Sequence, residues 1–367
     1  MAHETPEETM APAPVEAEKP RHDLAWVLLN DEGLRPVWAV ALFAGLLYVI
    51  RMVLDVAAVT AMPWLATETV GPRVMLVGEA VMAASMAGAA MVLARAQQRG
   101  ARDYHWLGPR AARRFAEGLA AGFAALSVLV ALLAAGGWLR FGHTTVNAAQ
   151  TLKPGAVWAV AFLLTALFEE GTFRCSLLGA LEHGLRFKWA LAAVAAICGF
   201  TLLRAQGHGA LGVILAALAG LGPCLWLGRR GKSGFWQAAW VTSVAFGAVH
   251  TGNGGESAVG IFAAALIGFV FVVSVQVTGS AWWAIGCHAA WDWAETFFYG
   301  TPDSGFAARG HLLTTMPTGN ALWSGGAAGP EGSVLVTPVA LALAAALWAV
   351  YGRRRGAVSR QVSKSAG

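Results

Sequence analysis

Residues 157–174 read VWAVAFLLTALFEEGTFR, an apolar run broken only by Thr165 that ends in Glu169, Glu170 and, four positions on, Arg174. Ionisable side chains are costly to place in hydrocarbon, so three of them within six residues of a membrane helix read first as a functional site. On a helix Glu170 and Arg174 are i,i+4 neighbours and can pair. Glu169 points about 100° away from Glu170 and stays available for another task. One carboxylate held by an arginine and one left over is the arrangement expected of an oriented general base.

Composition around this stretch sets the class. The chain has 367 residues, 57% hydrophobic and 13% charged, with a mean hydropathy of +0.56, whereas a soluble domain carries about 25% charged residues. The expected fold is an all-α polytopic membrane protein. The net charge of +5 comes from Lys and Arg in short loops between apolar runs. That placement is the one the positive-inside rule gives, and no basic face with interleaved aromatics points to nucleic acid. Cys175, Cys198, Cys224 and Cys287 lie in or beside apolar segments without a CxxC pair. They read as small buried hydrophobes, and Cys287 and His288 diverge too far as helical neighbours to act as a dyad.

About ten transmembrane helices are expected. Residues 1–34 form a disordered cytoplasmic tail, rich in Pro, Glu and Ala over 1–24 and lacking the apolar stretch of a signal peptide. Residues 35–150 hold the first three helices, about Val37–Ala61, Val74–Ala94 and Phe115–Trp138. Arg51 and Asp55 in the first read as a structural ion pair facing other helices, and Glu79 lies in the second. Six arginines between Arg95 and Arg114 mark a cytoplasmic loop.

The glutamate helix should run from about Gly155 past Arg174 towards Glu182, which puts Glu169 near mid-depth. Runs at Trp189–Leu203, Gly209–Leu227, Phe235–His250, Ala258–Val277 and Ala281–Tyr299 follow, with the basic turn Arg229–Lys232 on the cytoplasmic side. Residues 306–333 are expected as an extracytoplasmic loop. Residues 334–367 hold a last helix, about Val334–Tyr351, and a basic cytoplasmic tail. Both termini are then cytoplasmic. The expected location is the cell membrane, multi-pass, of a bacterial inner membrane. No fixed-period repeat suggests a repeat-built transporter.

Two histidines lie inside apolar helices: His250 ends Phe246–His250, and His288 begins His288–Asp292. Three chemistries fit this set with Glu169. Glu169 and His250 can deprotonate a water that attacks an amide carbonyl, with His288 and Asp292 serving the oxyanion and leaving group. Alternatively Glu169, His250 and His288 ligate a divalent metal with one position open for water. A proton or ion relay in a transporter is the third. HExxH and G-x-S-x-G motifs are absent.

Glu-Glu-x-x-x-Arg at 169–174, Phe-x-x-x-His at 246–250 and His-x-x-x-Asp at 288–292, in this order, resemble the motifs of the CPBP family of intramembrane endopeptidases. That family groups type II CAAX prenyl proteases with bacteriocin-processing relatives. The resemblance covers residues 151–305 and implies a peptidase core of about eight helices, with 188–233 added as an inserted helical hairpin. It implies Glu169 as the water-activating carboxylate, His250 as its partner, Glu170 and Arg174 as the orienting pair, and His288 and Asp292 on the oxyanion side. The implied substrate is a membrane-associated or lipidated peptide or protein. The family is often labelled metallo-endopeptidase, so zinc on Glu169, His250 and His288 stays open beside a metal-free water.

Two features depart from the family pattern. Asp292 stands where Asn is common, and a carboxylate near an oxyanion repels it unless protonated or paired. His250 follows Arg174 by 76 positions, more than one connecting turn needs, and the inserted hairpin accounts for the excess. The competing reading is a non-catalytic scaffold or transporter, for which Arg51, Asp55 and Glu79 speak.

Overall fold

A computed structural model describes residues 27–30, 33–67, 71–142, 148–204, 210–229, 234–253, 255–303, 305 and 310–352. The N-terminal tail over residues 1–24, the basic positions Arg230–Lys232 and the tail beyond 352 lie outside the described residues. Ten principal helices follow one another: α1 Pro36–Ala61, α2 Pro72–Ala96, α3 Ala111–Ala135, α4 Ala148–Glu170, α5 Phe187–Arg204, α6 Ala210–Arg229, α7 Phe235–Val249, α8 Ala258–Thr278, α9 Trp282–Trp293 and α10 Val336–Leu347. The fold is all-α, with two-residue and three-residue strand pairs as its β structure among the described residues. Among the described residues, six helical stretches are long and apolar enough to cross a membrane: α1, α2, α3, α5, α8 and Leu152–Leu181, the last formed by α4 and its continuation.

The molecule is assembled around α9. This helix packs along α3 and α4, while α2 covers α4 and α1 covers α2. On the other side α8 lies against α7 and α10, and the α5–α6 hairpin rests on α7. Close backbone approach makes the α3–α9 contact. A Cβ at Gly118 would stand 2.2 Å from the Trp283 carbonyl oxygen, one at Gly122 2.0 Å from that of Cys287, and one at Gly286 2.2 Å from that of Phe115. Small residues four apart let two membrane helices touch through their backbones, where dispersion rather than the hydrophobic effect drives association.

Three expectations change in detail. The arginine-rich loop ends at Arg110, because α3 already begins at Ala111. Arg113 and Arg114 sit on its first turn and reach Glu117 at 2.8 Å each. Tyr351, in the turn continuing α10, donates to the same Glu117 at 2.9 Å, so this loop and the end of α10 share one face of the molecule. Arg51 and Asp55 do pair, at 3.3 Å, but their side chains are 50% and 51% exposed. They face outward because α1 packs mainly on α2 and leaves most of its circumference open. Finally, α7 has 15 residues and extends only about 22 Å at 1.5 Å per residue, short of the hydrocarbon thickness of about 30 Å. It stops where the turn-forming Thr251-Gly252-Asn253 follows.

The α5–α6 hairpin leaves and returns at neighbouring points. Gly234, with φ +74°, lies so close to the end of the α4 continuation that a Cβ there would be 2.6 Å from the Glu182 carbonyl oxygen. At the opposite end, Leu139–Phe141 pairs antiparallel with Thr315–Pro317. The stretch between α9 and α10 thereby folds onto the helix ends, and Ser324, Ala328, Pro330 and Ser333 in it are buried.

Candidate active site

Apart from His288, which lies within α9, the chemistry-bearing residues sit at or near points where their helices change character. Immediately after Glu170, α4 widens into the π-helical turn Gly171–Leu177 before a last α-turn, Leu178–Leu181. Such turns recur at functional sites because they offset the side-chain register without ending the helix. Gly171 allows the widening to pack closely: a Cβ there would be 2.4 Å from the Met86 methyl on α2.

Glu170 and Arg174 are fully buried and form an ion pair at 3.1 Å, Oε2 to Nε. The guanidinium lies over Phe246 at 4.1 Å, with Phe271 at 5.4 Å and Phe173 at 5.8 Å. A desolvated cation against aromatic faces gains about 2 kcal/mol or more. The cage therefore holds the arginine where its nitrogens lack hydrogen-bond partners. The other oxygen of Glu170 meets His288 Nδ1 at 2.8 Å. A carboxylate beside an arginine accepts, so the ring nitrogen donates.

His288 Nε2 then faces the remaining acids, with Asp292 Oδ2 at 3.4 Å and Glu169 Oε2 at 3.7 Å. Its ring stacks on Phe271, centroid to centroid 5.6 Å. Glu169 is the more accessible of the glutamate pair, 23% exposed against 0%, and its Oε2 is buried without a hydrogen-bond partner.

His250 opens the short 3-10 turn after α7. Its Nδ1 lies 2.7 Å from the Phe246 carbonyl oxygen. A carbonyl only accepts, so Nδ1 carries the proton and the lone pair of a neutral ring is on Nε2. Non-helical backbone at this depth is tolerated where it lines a cavity. Glu169, His250, His288 and Asp292 all line one cavity of about 290 Å³, together with Asn253, Asp303 and Glu331. Glu170 and Arg174 stand behind its wall.

Asp303 and Glu331 escaped the sequence reading as cavity residues. Asp303 and Glu331 lie in the Gly/Pro-rich stretch whose folding onto α9 no local pattern announces. Burial, with the charge of Glu331 adding to it, pushes the Asp303 carboxyl up to about 8. Glu79 on α2 senses Glu169 and bonds the Thr165 side chain. Its signal was present in the sequence, as an acid within an apolar span.

The proposed ligand set Glu169, His250 and His288 is not gathered as a compact trio. Among the described residues, the His, Cys, Asp and Glu groups whose ligand atoms lie within 4.8 Å of one another are Asp292, Asp303 and Glu331. His288 spends Nδ1 on Glu170, which leaves only Nε2 for a metal.

Residues 223–294 match the family model described as type II CAAX prenyl endopeptidase, Rce1-like. This segment is Rce1-like. It contains His250, His288 and Asp292, in agreement with the CPBP resemblance, and ends before Asp303; Glu169, Glu170 and Arg174 precede it. No curated protein and no solved structure matches the chain.

Proposed function

We propose that the chain is an intramembrane endopeptidase that hydrolyses a peptide bond of a membrane-associated or lipidated substrate. The observation that carries the reading is the meeting of Glu169, His250, His288 and Asp292, from two helices and the end of a third, on a single cavity. Water in that cavity hydrogen-bonds to His250 Nε2 and gives its proton to Glu169. The hydroxide attacks the scissile carbonyl carbon, and the oxyanion that forms accepts from His288 Nε2–H. That N–H exists in the imidazolium form, with Nδ1–H already donating to Glu170. Glu169 then passes its proton to the departing amine, which breaks the C–N bond and restores the carboxylate.

The surroundings support this substrate class. An apolar cavity of about 430 Å³, lined by Leu202, Trp240, Gly247, Phe262 and neighbours, lies between the α5–α6 hairpin and α7–α8. It backs onto the helix that carries His250 and is large enough for part of a hydrocarbon chain. The cell membrane, with both termini cytoplasmic, is the location this reading assigns. Glu169→Gln tests it on purified protein in lipid vesicles with a membrane-inserted fluorogenic peptide. Cleavage should fall by about 100-fold or more, with the gel-filtration profile in detergent unchanged. Undiminished cleavage would refute Glu169 as the base.

A further inference from the structure

Beyond the Glu169–His288 constellation, the C-terminal end of α9 gathers acids that the proposed reaction does not use. Asp292 on α9, Asp303 after it and Glu331 in the turn Pro330–Gly332 each offer one carboxylate oxygen, all within 4.8 Å of one another. A fourth acid lies beside this group without belonging to it. Glu295, one turn beyond Asp292, is fully buried. Its Oε2 accepts from the Trp291 indole at 3.0 Å, while its Oε1 is buried with no hydrogen-bond partner.

That orphan oxygen faces the junction that carries the trio. A Cβ at Gly329, two residues before Glu331, would stand 3.1 Å from it and 1.9 Å from the carbonyl oxygen of Pro302, which precedes Asp303. The charges Glu295 senses are those of Glu331, Asp303 and Asp292. Among the described residues no lysine or arginine forms an ion pair with Asp292, Glu295 or Asp303. His288, at 3.4 Å from Asp292, is already shared with Glu169 and Glu170.

A buried, unpartnered carboxylate oxygen costs stability unless a cation or proton meets it. We propose that Asp292, Asp303 and Glu331, backed by Glu295, bind a hard divalent cation at the rim of the active-site cavity, calcium in first place. The donor set is entirely oxygen, which selects calcium or magnesium over softer metals. Oxygens no more than 4.8 Å apart can close on one ion at the calcium–oxygen distance of about 2.4 Å with at most a few tenths of an ångström of movement each. The cation would clamp segments around residues 292, 303 and 331, fixing the α9–α10 connection over the cavity. The site shares Asp292 and the cavity with the peptidase reading, but its readout is binding, so the two can fail separately.

The test uses the full chain in detergent, stripped with a chelator and titrated calorimetrically with calcium chloride or magnesium chloride. Calcium should bind saturably at one ion per chain, and a 100-fold excess over Kd should raise the thermal midpoint by about 5 °C. Asp303→Asn and Glu331→Gln should each weaken binding at least about 10-fold, while Asp55→Asn on the outer face of α1 leaves it intact. Gel filtration and the unfolding profile without cation establish that the variants fold. Saturable binding of magnesium in preference to calcium would overturn the choice of ion. Absence of saturable binding by either, or binding indifferent to both variants, would overturn the site. A midpoint that follows pH but neither cation would do the same, leaving shared protons as the compensation.

Discussion

Glu170→Gln tests whether the buried pair behind the cavity acts as described. Glutamine keeps the shape of the side chain, and its carbonyl can still accept from His288 Nδ1, now 2.8 Å from Glu170. The negative charge is lost. Arg174, side chain 1% exposed, then stays among Phe173, Phe246 and Phe271 without its nearest anion. Breaking a buried pair from one side costs about 3–5 kcal/mol. The cation–π contacts offset none of this, since they persist in the variant. Glu169 is the second anion Arg174 senses, so the loss should fall near the lower figure, about 3 kcal/mol.

Adding Arg174→Met removes the stranded cation and fills the aromatic cage with a thioether, which should restore all but about 1 kcal/mol. Equilibrium unfolding in mixed detergent micelles reads both steps. Cleavage should stay low in the double variant, because His288 Nδ1 no longer faces the anion that favours its imidazolium form. A single variant costing under about 1 kcal/mol, or a double variant no more stable than the single, would refute the buried-pair account.

Two further outcomes are expected. Gly122→Leu, at a position where even a Cβ meets the Cys287 carbonyl oxygen at 2.0 Å, should push α9 off α3, cost about 1–3 kcal/mol and lower cleavage by displacing the adjacent His288; unchanged activity and stability would show that the helices do not touch there. 1,10-Phenanthroline, which captures zinc and leaves calcium and magnesium, should leave cleavage unchanged; inhibition reversed by added zinc would assign the water to a metal.

The sequence made legible what depends on residue type and local spacing. Apolar runs located the ten helices, and i,i+4 spacing joined Glu170 to Arg174. Three short motifs supplied the residues that meet at the cavity. Features that depend on what lies opposite a residue were hidden. Helices apolar all round carry no stripe to say which face is inside, so nothing placed Arg51 and Asp55 on the outside of α1. Gly118 and Gly122 gained meaning only against Gly286, more than 160 positions away. Asp303 and Glu331 sit in loop text whose folding onto Glu295 is a tertiary event.

The division of labour between Glu169 and Glu170 can be argued from which atoms are committed. Glu170 spends one oxygen on Arg174 and the other on His288. His250 spends Nδ1 on the Phe246 carbonyl. What these commitments leave over is Glu169 Oε2, without a hydrogen-bond partner, and His250 Nε2, and both residues border the cavity. A scaffold gains nothing from such acceptors, because an unsatisfied buried polar group costs about 1–3 kcal/mol. A hydrolase needs them where a water must be bound and stripped of a proton. The two roles therefore differ in the sign of a stability change. Glu169→Gln gives up the 3.7 Å attraction to His288, offset by relief from the like charges of Glu79 and Asp292, so under the peptidase reading it yields an inactive protein at least as stable as the parent. If Glu169 instead holds the helices together, the same variant unfolds more easily, and its loss of activity carries no mechanistic weight.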